Sequence, residues 1–265
     1  MAVFQQDLVS CPLAEPDAGI RAAVNQQAIP ARGLAQKSIA LAVGSRRIDR
    51  LDEVVSALVA IFRQCSAHPF IVPAMGSHGG ATPEGQKAVL AGWGITEQRM
   101  AAPVKADMNT RIIGRTPQGM PIHFSTTALD ADWIVPVNRI KPHTKFSAPI
   151  ESGLCKMLVI GLGMHAGAAT CHRFAVDHGF EVIESAAAVL LGQVPVLTGI
   201  GLMEDGMGQL SQIHAIGPQD LICREKALLQ KASAMMGRIP FEQIDILVVD
   251  RIGKDISGIG MAANV

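Results

Sequence analysis

The sequence predicts an α/β fold, a mostly parallel sheet with helices on both faces and a small antiparallel excursion. Three observations predict it: short β-branched runs alternate with stretches of helical periodicity, several of those runs end in glycine turns, and apolar residues make up 49% of the chain against 17% charged. Strand–helix alternation implies crossover connections, which lay strands parallel, and that apolar share is ample for a core on both faces. The 265 residues suit one large domain, without internal repeats or low-complexity linkers.

SIALAVGS (38–45) reads as a buried strand ending at Gly44, and RLDEVVSALVAIFRQC (50–65) has apolar residues at helical spacing. PFIVPAMGS (69–77) is a second strand running into glycines. TPEGQKAVLAGWGI (82–95) is a helix with Thr82 as N-cap and Pro83 at its first position. The turn-rich stretch from about 98 to 131 is the antiparallel excursion, folded around TPQG. DWIVPVNRI (132–140) is a third strand, while LCKMLVIGLG (154–163) is apolar and compatible with either helix or strand. Helices are expected at 179–194 and 221–237, and strands at 194–205 (VPVLTGIGLMED) and 245–251 (DILVVDR). The Gly-rich tail RIGKDISGIGMAANV (251–265) follows that last expected strand, which suggests one domain of a longer architecture: residues 1–265 as a cofactor-bearing N-terminal domain, with a second, C-terminal domain lacking.

The formal net charge of zero offers no basic surface for nucleic acid. Few aromatics and no Tyr leave no stacking platform for single strands. No apolar run is long enough to span a bilayer, and MAVFQQDLVSCPLAEPD lacks the features of a signal peptide. Five scattered cysteines (Cys11, Cys65, Cys155, Cys171, Cys223) read as reduced thiols, hence a cytoplasmic home.

Ligands of open parallel sheets bind beyond the carboxyl ends of the strands. Three polar clusters fall there: Gly44-Ser45-Arg46-Arg47, Gly76-Ser77-His78-Gly79-Gly80, and Asn138-Arg139-Ile140-Lys141-Pro142-His143-Thr144. Glycines let a backbone approach a ligand, exposed N–H groups cradle anions, and arginine grips phosphate or carboxylate. Read singly, GSHGG is an ordinary turn and the arginines are solvated surface; their convergence on one edge argues for a site. Lys156 sits in an apolar stretch, where an ammonium must reach solvent or have a purpose. Cys155, His165, Cys171 and His172 follow no common zinc spacing, and burial in the core accounts for the two cysteines.

AVGSRRID, IVPAMGSHGGATPEGQ, VNRIKPHTKF and ESGLCKMLVIGLGMHAGAATCHR together resemble the lactate racemase family, with a weaker likeness through VVDRIGKDISGIGM. The resemblance implies a racemase or epimerase of a small 2-hydroxy acid that uses a nickel-pincer nucleotide, made and installed by separate maturation enzymes. It implies that Lys156 tethers this cofactor as a thioamide and that His172 ligates nickel, with His165 as a rival. It implies that His78 and His143 are the catalytic acid/base pair, and that Arg46 grips the cofactor phosphate. Ser45, Gly76 and Ser77 complete the expected cofactor-binding set. The family's Asp-x-Thr-Arg pattern reads Gly-Ser-Arg here. The chemistry suits these parts. The C2 hydrogen of a hydroxy acid is not acidic, so it leaves more easily as hydride to an electrophilic cofactor, and a racemase then needs a base on each face of a planar keto acid.

The resemblance also implies a cleft shared with a second domain, so a C-terminal domain or a homo-oligomer is an expected partner. Two alternatives stand beside the isomerase: a zinc-dependent hydrolase drawing on His78, His143 and His172, which leaves Lys156 unexplained, and a cofactor-binding domain without turnover.

Overall fold

The computed structural model describes residues 3–144 and 146–251. Its frame is a five-stranded sheet in the order β2-β1-β5-β6-β7, from β1 (Ser38–Val43), β2 (His68–Pro73), β5 (Trp133–Arg139), β6 (Gly199–Glu204) and β7 (Leu210–Ile216). The first four strands in that order are parallel, and β7 closes one edge antiparallel to β6. A separate hairpin, β3 (Thr110–Arg115) and β4 (Pro121–Ser125), turns at the expected TPQG, with Gly119 at φ +86°.

Strand alternation sorts the core into two layers. Ile39, Leu41 and Val43, with Ile71, Val135 and Val137, share one layer with α1 (Pro16–Gln26) and α2 (Leu51–Gln64). Ala40, Ala42, Phe70, Val72 and Ile134 share the other with α6 (Leu154–Lys156), its π-helical continuation Met157–Gly161, α7 (Met164–His178), α8 (Val182–Leu191) and α9 (Leu221–Met235). The remaining helices are α3 (Pro83–Gly92) and the single turns α4 (Glu97–Met100) and α5 (Thr126–Leu129).

Pro136 sits in a central strand, where its missing N–H would cost a ladder bond. The β5–β6 ladder skips it. Ile134 donates to Pro195 and accepts from Leu197, and regular pairing resumes only at Val137–Ile200. The strand expected over 194–205 accordingly narrows to Gly199–Glu204.

Two further expectations are resolved or corrected. LCKMLVIGLG is helical, because it is buried nearly all round and its first N–H groups find a side-chain acceptor. Residues 245–251 form no strand: Ile246 and Val248 are each 82% exposed, with no neighbouring strand to pair with among the described residues. The Gly-rich tail beyond Arg251 lies outside the described residues. Finally, α1 and β7 were not expected, although Ile20, Ala23 and Val24 carry a helical spacing behind Pro16 and Asp17. No single helix among the described residues is long and apolar enough to cross a membrane; residues 154–161 and α7 meet at 108°.

Candidate functional site

From β1 the chain crosses to β2 on one side, while β5 takes the place on the other. The carboxyl ends of β1 and β5 therefore flank a topological switch point, where ligands of open α/β sheets bind. Gly44-Ser45-Arg46 leaves β1, Gly76–Gly80 follows β2, and Asn138–His143 ends β5. His78 and His143 thus stand on loops at one edge of the sheet, on either side of β1.

The loop carrying His78 is shaped by its own residues. Gly79 and Gly80 are left-handed, at φ +65° and +67°. Gly85 passes so close that a Cβ there would fall inside the Gly79 carbonyl oxygen. Thr82 caps α3 by accepting from Gly85 N at 3.1 Å, with Pro83 behind it. Buried Gln86 donates to the Gly76 carbonyl at 3.0 Å, and Gly76 N donates to Gly161 O at 3.1 Å. The glycine turn is thereby tied to the helical stretch bearing Lys156. Ser45 Oγ shares a hydrogen bond with His78 Nδ1, and Trp93 Nε1 holds the Ser45 carbonyl at 3.1 Å. Ser77 and Arg46 are exposed at the rim.

Lys156 owes its place to a buried acid. One Glu225 oxygen accepts from Leu154 N at 2.7 Å and Cys155 N at 3.0 Å. A Cβ at residue 153 would collide with the same carboxylate, so Gly153 is the residue that fits. Burial raises the Glu225 carboxyl to about 7, against the pull of those two N–H groups. Its other oxygen has no partner among the described residues.

The Lys156 amine is brought down to about 8, first by burial and then by the Arg46 guanidinium, while Cys171 and Glu151 oppose the shift. Burial, then Arg46, then Lys156 lower the His78 imidazole, although part of that ring reaches the surface. Lys141 is lowered by burial, then by Arg139, with Glu204 opposing and Arg46 adding to the effect. Arg46 is thus the common neighbour of Lys156, His78 and Lys141.

His143 is held by its loop. Glu151, buried, accepts from the backbone N–H of His143 and from Ala148 N at 3.1 Å. Lys141 and Ser152 exchange backbone hydrogen bonds at 3.0 and 3.3 Å, closing the loop at its base. The His143 ring stacks on Phe146 at 4.2 Å, and Phe146 stacks on Phe180 at 3.8 Å. Through Glu151 this loop also reaches Lys156 electrostatically.

His165 and His172 are both exposed on α7, seven residues or about 10 Å of helix apart on one face. Cys171, beside His172, is buried and senses Lys156. Among the described residues no three His, Cys, Asp or Glu side chains gather to hold a metal, so the zinc-hydrolase alternative has no ligand set there. The residues do fit an anionic nucleotide with a reactive acyl group. Arg46 and Lys141 supply positive charge, neither in an ion pair among the described residues, and Lys156 supplies an amine free of hydrogen bonds among them. The backbone at Gly80 faces open space.

Glu151, Glu225 and Gln86 were not among the expected site residues. Glu225 left a signal: it occupies a buried position in the apolar stripe Leu221, Leu228, Leu229, Ala232 of α9, where an acid needs a partner.

A family model described as the lactate racemase N-terminal domain matches residues 17–182. Among curated proteins, none matches. Among solved structures, the lactate racemase apoprotein from Thermoanaerobacterium thermosaccharolyticum superposes with a TM-score of 0.64 at 17% identity, covering 82% of this chain and 55% of that one. The chain thus spans about half the length of that racemase, and at this identity the likeness concerns the fold. The family match covers well over half the chain, from α1 to the start of α8, and takes in every loop of the switch-point site: the chain belongs to the lactate racemase N-terminal domain family.

Proposed function

We propose that this chain is the cofactor-bearing domain of a racemase or epimerase of small 2-hydroxy acids. The observation that carries the reading is the grouping of Lys156, Arg46 and His78 at the β1/β5 switch point, with the Lys156 amine near 8. An amine near 8 has a far larger neutral fraction near pH 7 than an ordinary lysine, and is hence a readier nucleophile toward an acyl carbon.

In this reading Lys156 tethers the nickel-pincer nucleotide, and Arg46, Ser45, Gly76 and Ser77 hold its phosphate. When bound, that group would supply an electrophilic acceptor for the hydride of the substrate carbon. His172, with His165 as rival, is the metal ligand. His78, its imidazole pKa lowered by partial burial and by Arg46, accepts the substrate hydroxyl proton from one face, while its Nδ1 is oriented by Ser45. His143, fixed on its loop by Glu151 and Phe146, serves the other face. Maturation enzymes provide the cofactor, and the free cysteines suit a cytoplasmic protein.

The test is metal analysis and racemisation after co-expression with the cofactor-making enzymes. Nickel near one equivalent and interconversion of a 2-hydroxy acid starting from either enantiomer are expected. Zinc in its place, or no racemisation by a nickel-loaded protein, contradicts the reading.

A further inference from the structure

Pairing of β1 with β2 ends at Val43 and Pro73, and Ala74 N donates to Val43 O at 2.8 Å. Ser45 lies beyond that ladder and is held by two hydrogen bonds. Its hydroxyl meets His78 Nδ1, and its carbonyl accepts from Trp93 Nε1 at 3.1 Å, across 48 positions of sequence. Trp93 belongs to none of the three polar clusters at the strand ends.

The indole is aimed by the end of its own helix. Trp93 is the C-cap of α3, and Gly94 follows at φ +78°. Gly94 N donates to Ala91 O and Ile95 N to Leu90 O, both at 3.0 Å, and Leu90 and Ile95 are buried. These bonds and that apolar pair form a Schellman closure, which fixes the cap residue. At the other end of α3, Gln86 donates to Gly76 O at 3.0 Å, where the His78 loop begins. One helix of ten residues, about 15 Å long, therefore grips the His78 loop from its first turn and the Ser45 loop from its last. An indole N–H that needed only a partner could take water, because Trp93 is half-buried. Here it takes a carbonyl of the site loop. The C=O and N–H of a trans peptide point oppositely, so the same bond turns the Arg46 N–H away from the indole.

We propose that Trp93 is a positioning residue for His78, acting through Ser45: its indole N–H fixes the turn that carries the Ser45 hydroxyl to His78 Nδ1. Without that donor the Ser45 turn is free to swing on its backbone, and the imidazole loses the partner that sets its orientation. The inference rests on the proposed function, because it names the residue that sets the geometry of that reaction's base.

NMR spectra of the cofactor-free full chain, isotopically labelled in histidine and tryptophan, test it. The His78 ring signals are identified by their loss in His78→Ala, and the Trp93 indole as the one of two that survives Trp133→Phe. Trp93→Phe keeps a ring and drops the donor. It should move the separation of the two His78 ring-nitrogen shifts at least about halfway to its value in Ser45→Ala. In the unaltered chain the Trp93 indole signal should shift as His78 titrates, and that of Trp133 should not. Arg46 and Lys156 also face His78, so the titration runs from about pH 5 to 7, where both keep their charge. In the cofactor-loaded enzyme Trp93→Phe should lower kcat by about tenfold or less, the worth of one hydrogen bond, at unchanged KM. Parental His78 shifts in a Trp93→Phe chain that has lost only melting temperature reduce the indole to a structural contact and overturn the proposal. So do His78 shifts that ignore Ser45→Ala, or, should Trp93→Phe not fold, a Trp93 signal that ignores His78 in the unaltered chain. The spectra need no cofactor: a chain that never acquires an adduct at Lys156 would sink the proposed function and leave this result standing.

Discussion

Ser45 and His78 lie 33 positions apart, on the loops leaving β1 and β2, and share a hydrogen bond through Ser45 Oγ and His78 Nδ1. In the proposed reaction that bond would orient the imidazole and leave its other nitrogen for proton transfer. His78→Ala and His143→Ala should each lower turnover by about 10²–10⁴-fold with nickel content unchanged. Ser45→Ala should cost about tenfold or less, the worth of one hydrogen bond. Turnover of the loaded enzyme, measured separately from each enantiomer, checks this. Near-parental rates in both histidine variants would return them to ordinary loop residues, and lost nickel would move that histidine to the metal.

Lys156 makes stability depend on pH in a definite direction. Its folded pKa of about 8 lies below the ordinary lysine range. Between those values the unfolded chain holds a proton that the folded chain has released, so stability rises with pH across that window. Below about 8 both states are protonated and the cost of burial is fully present. Lys156→Met should therefore stabilise the cofactor-free chain at pH 7 by on the order of 1 kcal/mol, with the gain shrinking toward about pH 10. Urea titrations of the two proteins at both pH values measure it.

Glu225 gives the opposite slope. Its folded pKa of about 7 lies above the ordinary glutamate value. From that ordinary value up to about 7 the folded chain keeps a proton the unfolded chain has lost, so stability falls as pH rises. Glu225→Gln should flatten this slope. Glu225→Ala leaves the N–H groups of Leu154 and Cys155 buried without an acceptor, at about 1–3 kcal/mol each. Denaturant midpoints at about pH 5 and pH 7.5 separate the two effects.

Gly85→Ala should disrupt the His78 loop by steric conflict alone. The added methyl would fall inside the Gly79 carbonyl oxygen, and both partners are backbone. A loss of about 3 kcal/mol or more is expected, whereas Gly92→Ala, where a Cβ meets nothing within 4 Å, should be neutral or stabilising. Thermal melts of the two variants side by side make the comparison.

Much of this was legible in the sequence because local chemistry and tertiary role coincide. Thr82 and Pro83 announce a helix start, Gly119 a turn, and the apolar runs of β1, β2 and β5 a buried parallel sheet. What stayed hidden depends on partners distant in sequence. Glu225 acts 71 positions from Leu154, and Glu151 acts through backbone groups of His143 and Ala148, which no side-chain spacing reveals. The 245–251 run reads as a strand by composition, yet a strand exists only with a neighbour to pair with. The helical state of 154–163 turned on Glu225 and Gly153 rather than on its own β-branched residues.

The central claim is that Lys156 carries the cofactor. Intact-mass measurement of the chain co-expressed with the cofactor-making enzymes, followed by peptide mapping, tests it most directly. A covalent increment confined to the peptide containing Lys156, and lost in Lys156→Ala, is the expected result; an unmodified chain, or an adduct that survives that substitution, would contradict it.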